Sequence, residues 1–456
     1  MVSRINYLSD LLASVFARQD GGEQGVHHGS FPELCDLLVS HQGESSGNRF
    51  ARSLLQKFGE STSDEKLEFF QLLANRFDIN AEHAMRAAQR YADSRNAENL
   101  ATLMDSVEPR RQELLRRLNR VPGATNELVK MRALLLEACK QDDDLRRIDV
   151  DFQHLFTAWF NQGFLVLREI DWHTPANILE KVIAYEAVHA INSWDALRNR
   201  LQPCDRRCFA FFHPAMLDEP LIFVEVALTI DSPTSIGEIL KSDRHTVPEA
   251  DAKTAVFYSI SNCQKGLAGV TFGNFLIKQV ANELSKAVPT LKTFRTLSPV
   301  PGFIRWVNGQ LDSFANKHAS IEVDNSLHHN ELPVQWLKLA QQVANSTEYN
   351  FSIEDNINLR KLVTYYLTQV RREDQHALDP VARFHLGNGA SLDDVLPGAD
   401  VYEKGLSQSA GVMVSYLYDL DKVASNHEMY ANERHIIAAD SVMALLEPEK
   451  RRRKQA

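Results

Sequence analysis

The spacing of apolar positions along the chain changes near Gly163. Before that point they recur every three to four residues, the period of a helix with one buried face; after it, short β-branched and aromatic runs dominate, as in buried strands. In the first part, Thr62 and Glu65 make a capping box ahead of Leu67, Phe70, Leu73 and Phe77. Residues 80–93 read as another helix. Segment 109–120 puts Leu114, Leu115 and Leu118 on one face before Pro122-Gly123 ends it, and Thr125 opens a segment with Leu128, Met131 and Leu135 on one stripe. At the start of the chain Leu8, Leu11, Leu12, Val15 and Phe16 keep helical spacing with Asp10 among them, which predicts a packing helix; the apolar core of a secretory leader would be uninterrupted. Residues 21–30 are a glycine-rich loop whose His27 and His28 are expected to be exposed.

Beyond Gly163 the expected order is a strand in 164–172, a helix 176–190 opened by Thr174-Pro175, and strands 207–213 and 221–229 as hairpin arms around the turn 214–220. Further strands are expected at 255–261, 292–297 and within 409–420, with helices near 303–317, 333–345 and 355–373 and a long one over 425–446. Strands interleaved with helices predict a mixed sheet flanked by helices. The reading is therefore two domains: residues 1–155, all-α, for packing and oligomerisation, and residues 156–456, α/β, on a mixed sheet.

A length of 456 residues fits two domains, since one hydrophobic core seldom grows that large. Apolar residues at 44% and charged residues at 24% are ordinary for a globular protein, so composition adds only one restriction. The formal charge of −10 disfavours nucleic acid and anionic membrane as partners. No apolar run approaches the roughly 18 residues of a membrane span. Five cysteines, an odd number, suggest reduced thiols. Cys204 and Cys208 with His213 would make half a zinc site, but no second pair follows at a usual spacing, so no metal is expected. The basic end, residues 450–456, is expected to be solvated.

Candidate chemistry concentrates in residues 255–306. Gln264-Lys265-Gly266-Leu267-Ala268-Gly269 lies between a strand and a helix, with Gly273 one turn on. Glycines there let backbone amides approach a phosphate at a helix start, although the spacing matches neither the Walker pattern nor G-x-G-x-x-G and a structural turn fits equally. In Leu297-Ser298-Pro299-Val300-Pro301-Gly302-Phe303 the two prolines stiffen the backbone, so the direction of the Ser298 hydroxyl is set by the chain; by itself the serine also reads as a helix cap. His385 stands beside the glycine-rich turn Gly387-Asn388-Gly389. Histidine suits proton transfer near neutrality, but among 16 histidines the turn alone does not single it out.

Together these segments resemble the malonyl-CoA decarboxylase family. The resemblance runs in order through WHTP (172–175), EAVH (186–189), EPLIFVEVALT (219–229), FYSIS (257–261), the 264–277 glycine segment, LSPVPGF (297–303), DPVARFHLGNGA (379–390) and SYLYDL (415–420). It implies an oligomerising helical N-terminal domain, as a dimer or tetramer, and a catalytic domain similar to the GNAT acyltransferase fold. The reaction it implies takes malonyl-CoA to acetyl-CoA and CO2 with no metal or organic cofactor, coenzyme A being part of the substrate. Ser298 and His385 look like the catalytic pair. Gln264, Gly266, Ala268, Gly269, Val270, Thr271, Phe272, Gly273 and Asn274 look like the coenzyme A segment, and Ser259 and Tyr418 like supporting pocket positions. Thr271 departs from mitochondrial relatives, which carry an acidic residue there. The end Lys-Gln-Ala departs from their peroxisomal tripeptide, so a cytoplasmic bacterial enzyme is expected. A CoA-dependent acyltransferase of the same fold and a non-enzymatic acyl-CoA sensor are the competing readings. A serine hydrolase fits less well, because no acid partner or nucleophile elbow accompanies Ser298.

Overall fold

The structure is a computed structural model that describes residues 28–40, 43–270, 276–319, 332–333, 336–345 and 347–447. The N-terminal apolar stripe, His27 and the basic tail lie outside the described residues. The protein divides into two compact units. One holds the residues up to Leu165 together with His213–Glu219 and the turn that begins at Gln264; the other holds the remainder.

The first unit is helical: α1 Phe31–Ser40, α2 Glu44–Glu60, α3 Ser63–Arg76, α4 Ala81–Asp93, α5 Ala97–Val107, α6 Arg110–Leu118, α7 Ala124–Ala138 and α8 Arg146–Trp159. The capping box at Thr62 and Glu65 is formed and opens α3. Gly123 caps α7 at φ 79, a conformation that a side chain would strain. Phe31, Phe58, Phe69 and Phe70 pack ring against ring at the centre, 4.8–6.1 Å apart. Buried Arg111 is neutralised by Asp78 and Asp151. Helices α4 and α5 pack on each other and leave Met85, Met104 and Val107 exposed.

The second unit is built on an eight-stranded sheet: β1 Val166–Glu169, β2 Arg206–His213, β3 Met216–Thr229, β4 Thr254–Asn262, β5 Thr293–Thr296, β6 Ser298–Pro299, β7 Ser391–Leu396 and β8 Met413–Leu417. The order is β1-β2-β3-β4-β5-β8-β6, with β7 also on β8. β4 and β5 run parallel, whereas β5, β6 and β7 all meet β8 antiparallel. Helices α9 Ala176–Tyr185, α10 Trp194–Leu201, α11 Ile236–Leu240, α12 Leu276–Ala287, α13 Phe303–Ala319, α14 Leu337–Ala344, α15 Ile353–Thr368, α16 Pro380–Gly387, α17 Glu403–Ser409, α18 Val423–Glu433 and α19 Asp440–Met443 accompany it. Ile236 and Ile239 of α11 pack with Val256, Tyr258, Leu297 and Met413 of the sheet, while Leu179 and Val182 of α9 pack with Ala210, Phe212 and Phe223. A helical unit followed by a helix-flanked mixed sheet is the architecture expected from the change in period.

Several boundaries differ from expectation. The helix expected over 176–190 stops at Tyr185, because the Glu186 carboxylate takes the amides of Val188 and His189 and turns the chain. Pro175 is the residue before the helix and not its first position. The hairpin turn shrinks to Pro214 and Ala215, closed by the Ala215 amide on His213 Nδ1, so β3 starts at Met216. The expected helix 425–446 breaks at Arg434, which adopts φ 59; Ile437 and Ala439 then bond to Leu392 of β7. The strand expected within 409–420 begins only at Met413, after Ala410 ends α17 at φ 51. Strand β7 had no counterpart in the reading of the sequence, since Asp393 and Asp394 interrupt its apolar pattern at a bulge.

Candidate active site

Ser298 sits in a strand, where a loop was expected. Leu297 donates its amide to Phe257 of β4, and Ser298 and Pro299 then pair with Val414 and Met413 of β8. Proline has no amide to donate and is tolerated because β6 is the last strand of the order. The buried Ser298 hydroxyl donates to Thr296 Oγ1 at 2.9 Å, and its oxygen lies 2.9 Å from His385 Nε2. Thr296 Oγ1 also accepts the Tyr416 amide at 3.1 Å.

His385 lies in the last turn of α16. Asp379 caps that helix by accepting the amides of Val381 and Ala382, both at 2.9 Å, and Pro380 occupies its first position. Beyond His385, Gly389 at φ 82 turns the chain so tightly that a Cβ there would lie 2.1 Å from the Val423 carbonyl oxygen. The imidazole stacks on the Tyr416 ring with centroids 4.5 Å apart, and its Nδ1 is 2.9 Å from the Tyr418 hydroxyl. His385 is 2% exposed, and burial pushes its pKa down to about 3. The same burial pushes Tyr418 well up. The imidazole is therefore neutral and the phenol protonated near pH 7. Because Ser298 gives its own proton to Thr296, the serine oxygen is left to accept. The tautomer that satisfies all three contacts carries the proton on Nε2 and accepts from Tyr418 at Nδ1.

The two halves of this line share one support. Asp379 Oδ2 accepts the Gly302 amide at 3.2 Å while Oδ1 caps α16, so one buried carboxylate holds both the serine segment and the histidine helix. Gly302 is required there, because a Cβ would come 2.4 Å from Tyr366 Oη. A cleft of about 510 Å³ opens beside this segment, lined by Pro301, Ile304, Arg305, Asn308, Ser407 and others.

Ser259, on β4, is buried with its hydroxyl turned to both Glu186 oxygens at 2.8 Å, and it makes no hydrogen bond to Ser298, His385 or Tyr418. Behind Glu186 lies buried His189, held down to about 3 by burial and by Arg200. Arg200 in turn meets Glu225 at 2.8 Å, and burial pushes that fully buried carboxyl up to about 7. In the glycine segment, Lys265–Leu267 form a single 3-10 turn that begins after Gln264, with Ala268 and Gly269 exposed and Val270 buried. Gly269 has φ 77. Thr271, Phe272, Gly273 and Asn274 lie outside the described residues.

The structure thus joins Ser298, His385 and Tyr418 in one hydrogen-bonded line and gives Ser259 a different partner. Thr296, Tyr416, Asp379 and Glu186 belong to these networks without having been singled out in the sequence. An Asp-Pro pair ahead of an apolar run is a helix-start signal that identifies Asp379, and the alternation of strand β5 places Thr296 beside Ser298. Among the described residues no three His, Cys, Asp or Glu side chains gather as a metal site. Cys204 is exposed, Cys208 is buried, and His213 is bonded to Trp159 and Ala215.

Comparison with known proteins finds the same family along both units. Residues 77–160 match the family model for the malonyl-CoA decarboxylase N-terminal domain, and residues 163–456 match that for the C-terminal domain. The chain is 33% identical to mitochondrial malonyl-CoA decarboxylase of Anser anser anser over 95% of its own length and 90% of the relative's. Against the Mus musculus enzyme identity is 32%, covering 85% and 83%. The crystal structure of malonyl-CoA decarboxylase from Rhodopseudomonas palustris superposes with a TM-score of 0.83 at 44% identity, over 91% of this chain and 98% of that one. The one from Agrobacterium vitis gives 0.82 at 42%, over 92% and 100%. With both domains matched in order and relatives aligned over most of its length, the chain belongs to the malonyl-CoA decarboxylase family.

Proposed function

We propose that Ser298, His385 and Tyr418 are the residues through which this carboxy-lyase converts malonyl-CoA to acetyl-CoA and CO2. The reaction is that of the family; the assignment of roles is carried by the 2.9 Å contact between Ser298 Oγ and His385 Nε2 in a buried pocket. When the malonyl carboxylate leaves as CO2, the carbon–carbon bond breaks and its electrons move onto the thioester carbonyl, giving an enolate. That carbonyl is the electron sink, so the proposal includes no metal or organic cofactor. A fixed donor aimed at the developing oxyanion is worth about 3 kcal/mol. Ser298 supplies one by turning its proton from Thr296 to the substrate.

His385 Nε2 then gives its proton to the α-carbon, and one solvent proton per turnover restores the line through Tyr418. A neutral imidazole is a weak acid. As Nε2 releases its proton, Tyr418 passes its own to Nδ1, so the ring stays neutral and the solvent proton returns to the phenol oxygen.

Gln264, Gly266, Ala268, Gly269 and Val270, with Thr271, Phe272, Gly273 and Asn274 beyond them, take the phosphates of coenzyme A in this proposal. Holding that remote part orients the reacting end. Ser259 lines the acyl pocket, its proton engaged by Glu186 and its lone pairs available to accept. Self-association as a dimer or tetramer is supported by the exposed Met85 (72%) and Met104 (64%) on the α4–α5 pair. A cytoplasmic, bacterial setting is part of the proposal; identities of 44% and 42% to two bacterial structures, against 33% and 32% to two mitochondrial relatives, support the bacterial half of it.

The test is turnover of malonyl-CoA by His385→Asn and Ser298→Ala, with coenzyme A affinity measured in parallel. Loss of about 10²–10⁴ in kcat with affinity retained supports the assignment. Near-normal turnover by His385→Asn removes the histidine from the mechanism. Free coenzyme A appearing in place of acetyl-CoA indicates hydrolysis.

A further inference from the structure

Arg132 of α7 is fully buried, with its guanidinium over the Phe156 ring of α8. Its Nη1 donates to the carbonyls of Gly266 at 2.8 Å and Ala268 at 2.9 Å, the two carbonyls that shape the glycine turn. Its Nε donates to Asp149 of α8 at 2.7 Å, and Gln153 Nε2 holds the other Asp149 oxygen at 3.1 Å. A buried guanidinium is tolerated when its charge is matched, and Asp149 matches it. The turn rests on the same helix: a Cβ on Gly266 would lie 1.8 Å from the Val129 carbonyl oxygen.

Peptide geometry gives this contact a direction. In a trans peptide the C=O of one residue and the N–H of the next point to opposite sides. With the Ala268 carbonyl aimed at Arg132, the Gly269 amide is turned away from that guanidinium. Ala268 and Gly269 are both exposed, and the φ of 77 at Gly269 favours glycine.

We propose that Arg132 is a positioning residue for coenzyme A: through two carbonyls it sets the 266–269 turn so that the Gly269 amide is presented to a phosphate. The proposal rests on the reading of that turn as the phosphate cradle. It gives the helical unit a part in substrate affinity in addition to self-association.

The experiment uses the full-length protein, with coenzyme A binding measured by calorimetry and malonyl-CoA kinetics measured alongside. Arg132→Met is expected to raise the coenzyme A Kd and the malonyl-CoA KM about tenfold, the loss of two charge-assisted bonds, while kcat stays within about threefold. Arg132→Lys, which keeps the charge but not the reach to both carbonyls, falls between. If Arg132→Met does not fold, Asp149→Asn is expected to move Kd in the same direction by a smaller factor. A lowered Tm with unchanged Kd in whichever variant folds overturns the proposal, since a purely structural arginine would do that. Gly269→Ala separates the two ideas. If it weakens coenzyme A binding while the Arg132 variants do not, the cradle stands and the arginine's role falls. If neither changes Kd, the cradle itself is refuted.

Discussion

Asp379 and Gly302 are joined by a 3.2 Å hydrogen bond from amide to carboxylate, across 77 positions of sequence. The bond matters because Asp379 also caps the helix that carries His385, while Gly302 ends the segment that carries Ser298. Asp379→Ala is expected to cost about 1–2 kcal/mol for the cap, and more for the orphaned Gly302 amide. Because the Ser298–His385 distance is what loosens, kcat should fall more than KM rises. Asp379→Asn retains an acceptor for the cap and should recover most of the lost stability. Equal kcat in the wild type and Asp379→Ala would show that the dyad does not depend on this support.

Gly302→Ala tests the same support by steric means. The added methyl would meet Tyr366 Oη at 2.4 Å, and Tyr366 is itself buried. Overpacking of this kind costs about 1–3 kcal/mol, to be read as a lower Tm together with a lower kcat. Tyr366→Phe removes the clashing oxygen, so the double variant should regain part of both. Strict additivity of the two single changes would refute the clash.

Tyr418→Phe removes the donor to His385 Nδ1 and leaves the ring in place. Turnover should drop by roughly 10–100-fold with KM little changed, since the tautomer that presents Nε2–H loses its support. The pH profile of kcat/KM offers a second check. With His385 held at about 3 in the free enzyme, its acid limb should lie well below the ordinary histidine value of 6.5. An acid limb near 6.5 that disappears in His385→Asn would contradict the effect assigned to burial.

Stability should depend on pH through three buried groups. His189 and His385 have folded pKa values near 3 against 6.5 for an ordinary histidine, so between these values the unfolded chain binds their protons and the folded one does not. Stability from these groups is lost as pH falls through that window. Glu225 acts in the opposite sense: its carboxyl is raised to about 7 from 4.5, so its contribution is present at low pH and is lost as pH rises through that interval. Where the windows overlap, two protons oppose one, leaving a net slope of about 1.4 kcal/mol per pH unit from these groups. His189→Gln should bring that slope near zero. Unfolding midpoints in urea measured at about pH 5 and 6 decide it.

Much of the fold was legible because its signals are local. The capping box at Thr62 and Glu65, the leucine stripe of α6 and the β-branched run of β4 each depend on neighbours within one element. The misread boundaries depended either on a side-chain turn that no apolar period records or on distant partners. Helix α9 is stopped by the Glu186 side chain reaching the amides after it. The C-terminal helix is broken where Ile437 and Ala439 find Leu392. Strand β7 was hidden because Asp393 and Asp394 spoil its alternation, although Asp393 has Arg295 as a partner and Asp394 has Arg360.

The candidate site divides in the same way. Sequence by itself determined the two-part architecture and the family; local motif chemistry marked the stiff Ser298 segment and the glycine turn, whereas His385 was reached only through the family resemblance, since its turn does not distinguish it among 16 histidines. Only the tertiary structure decided that Ser298 and His385, 87 positions apart, lie within hydrogen-bond reach, that Tyr418 selects the imidazole tautomer, and that Arg132 lies beneath the turn from 134 positions upstream. The physical reason is that hydrogen-bond direction, burial and the pKa shifts they cause are set by groups from distant segments meeting in space, and no local pattern records which segments meet.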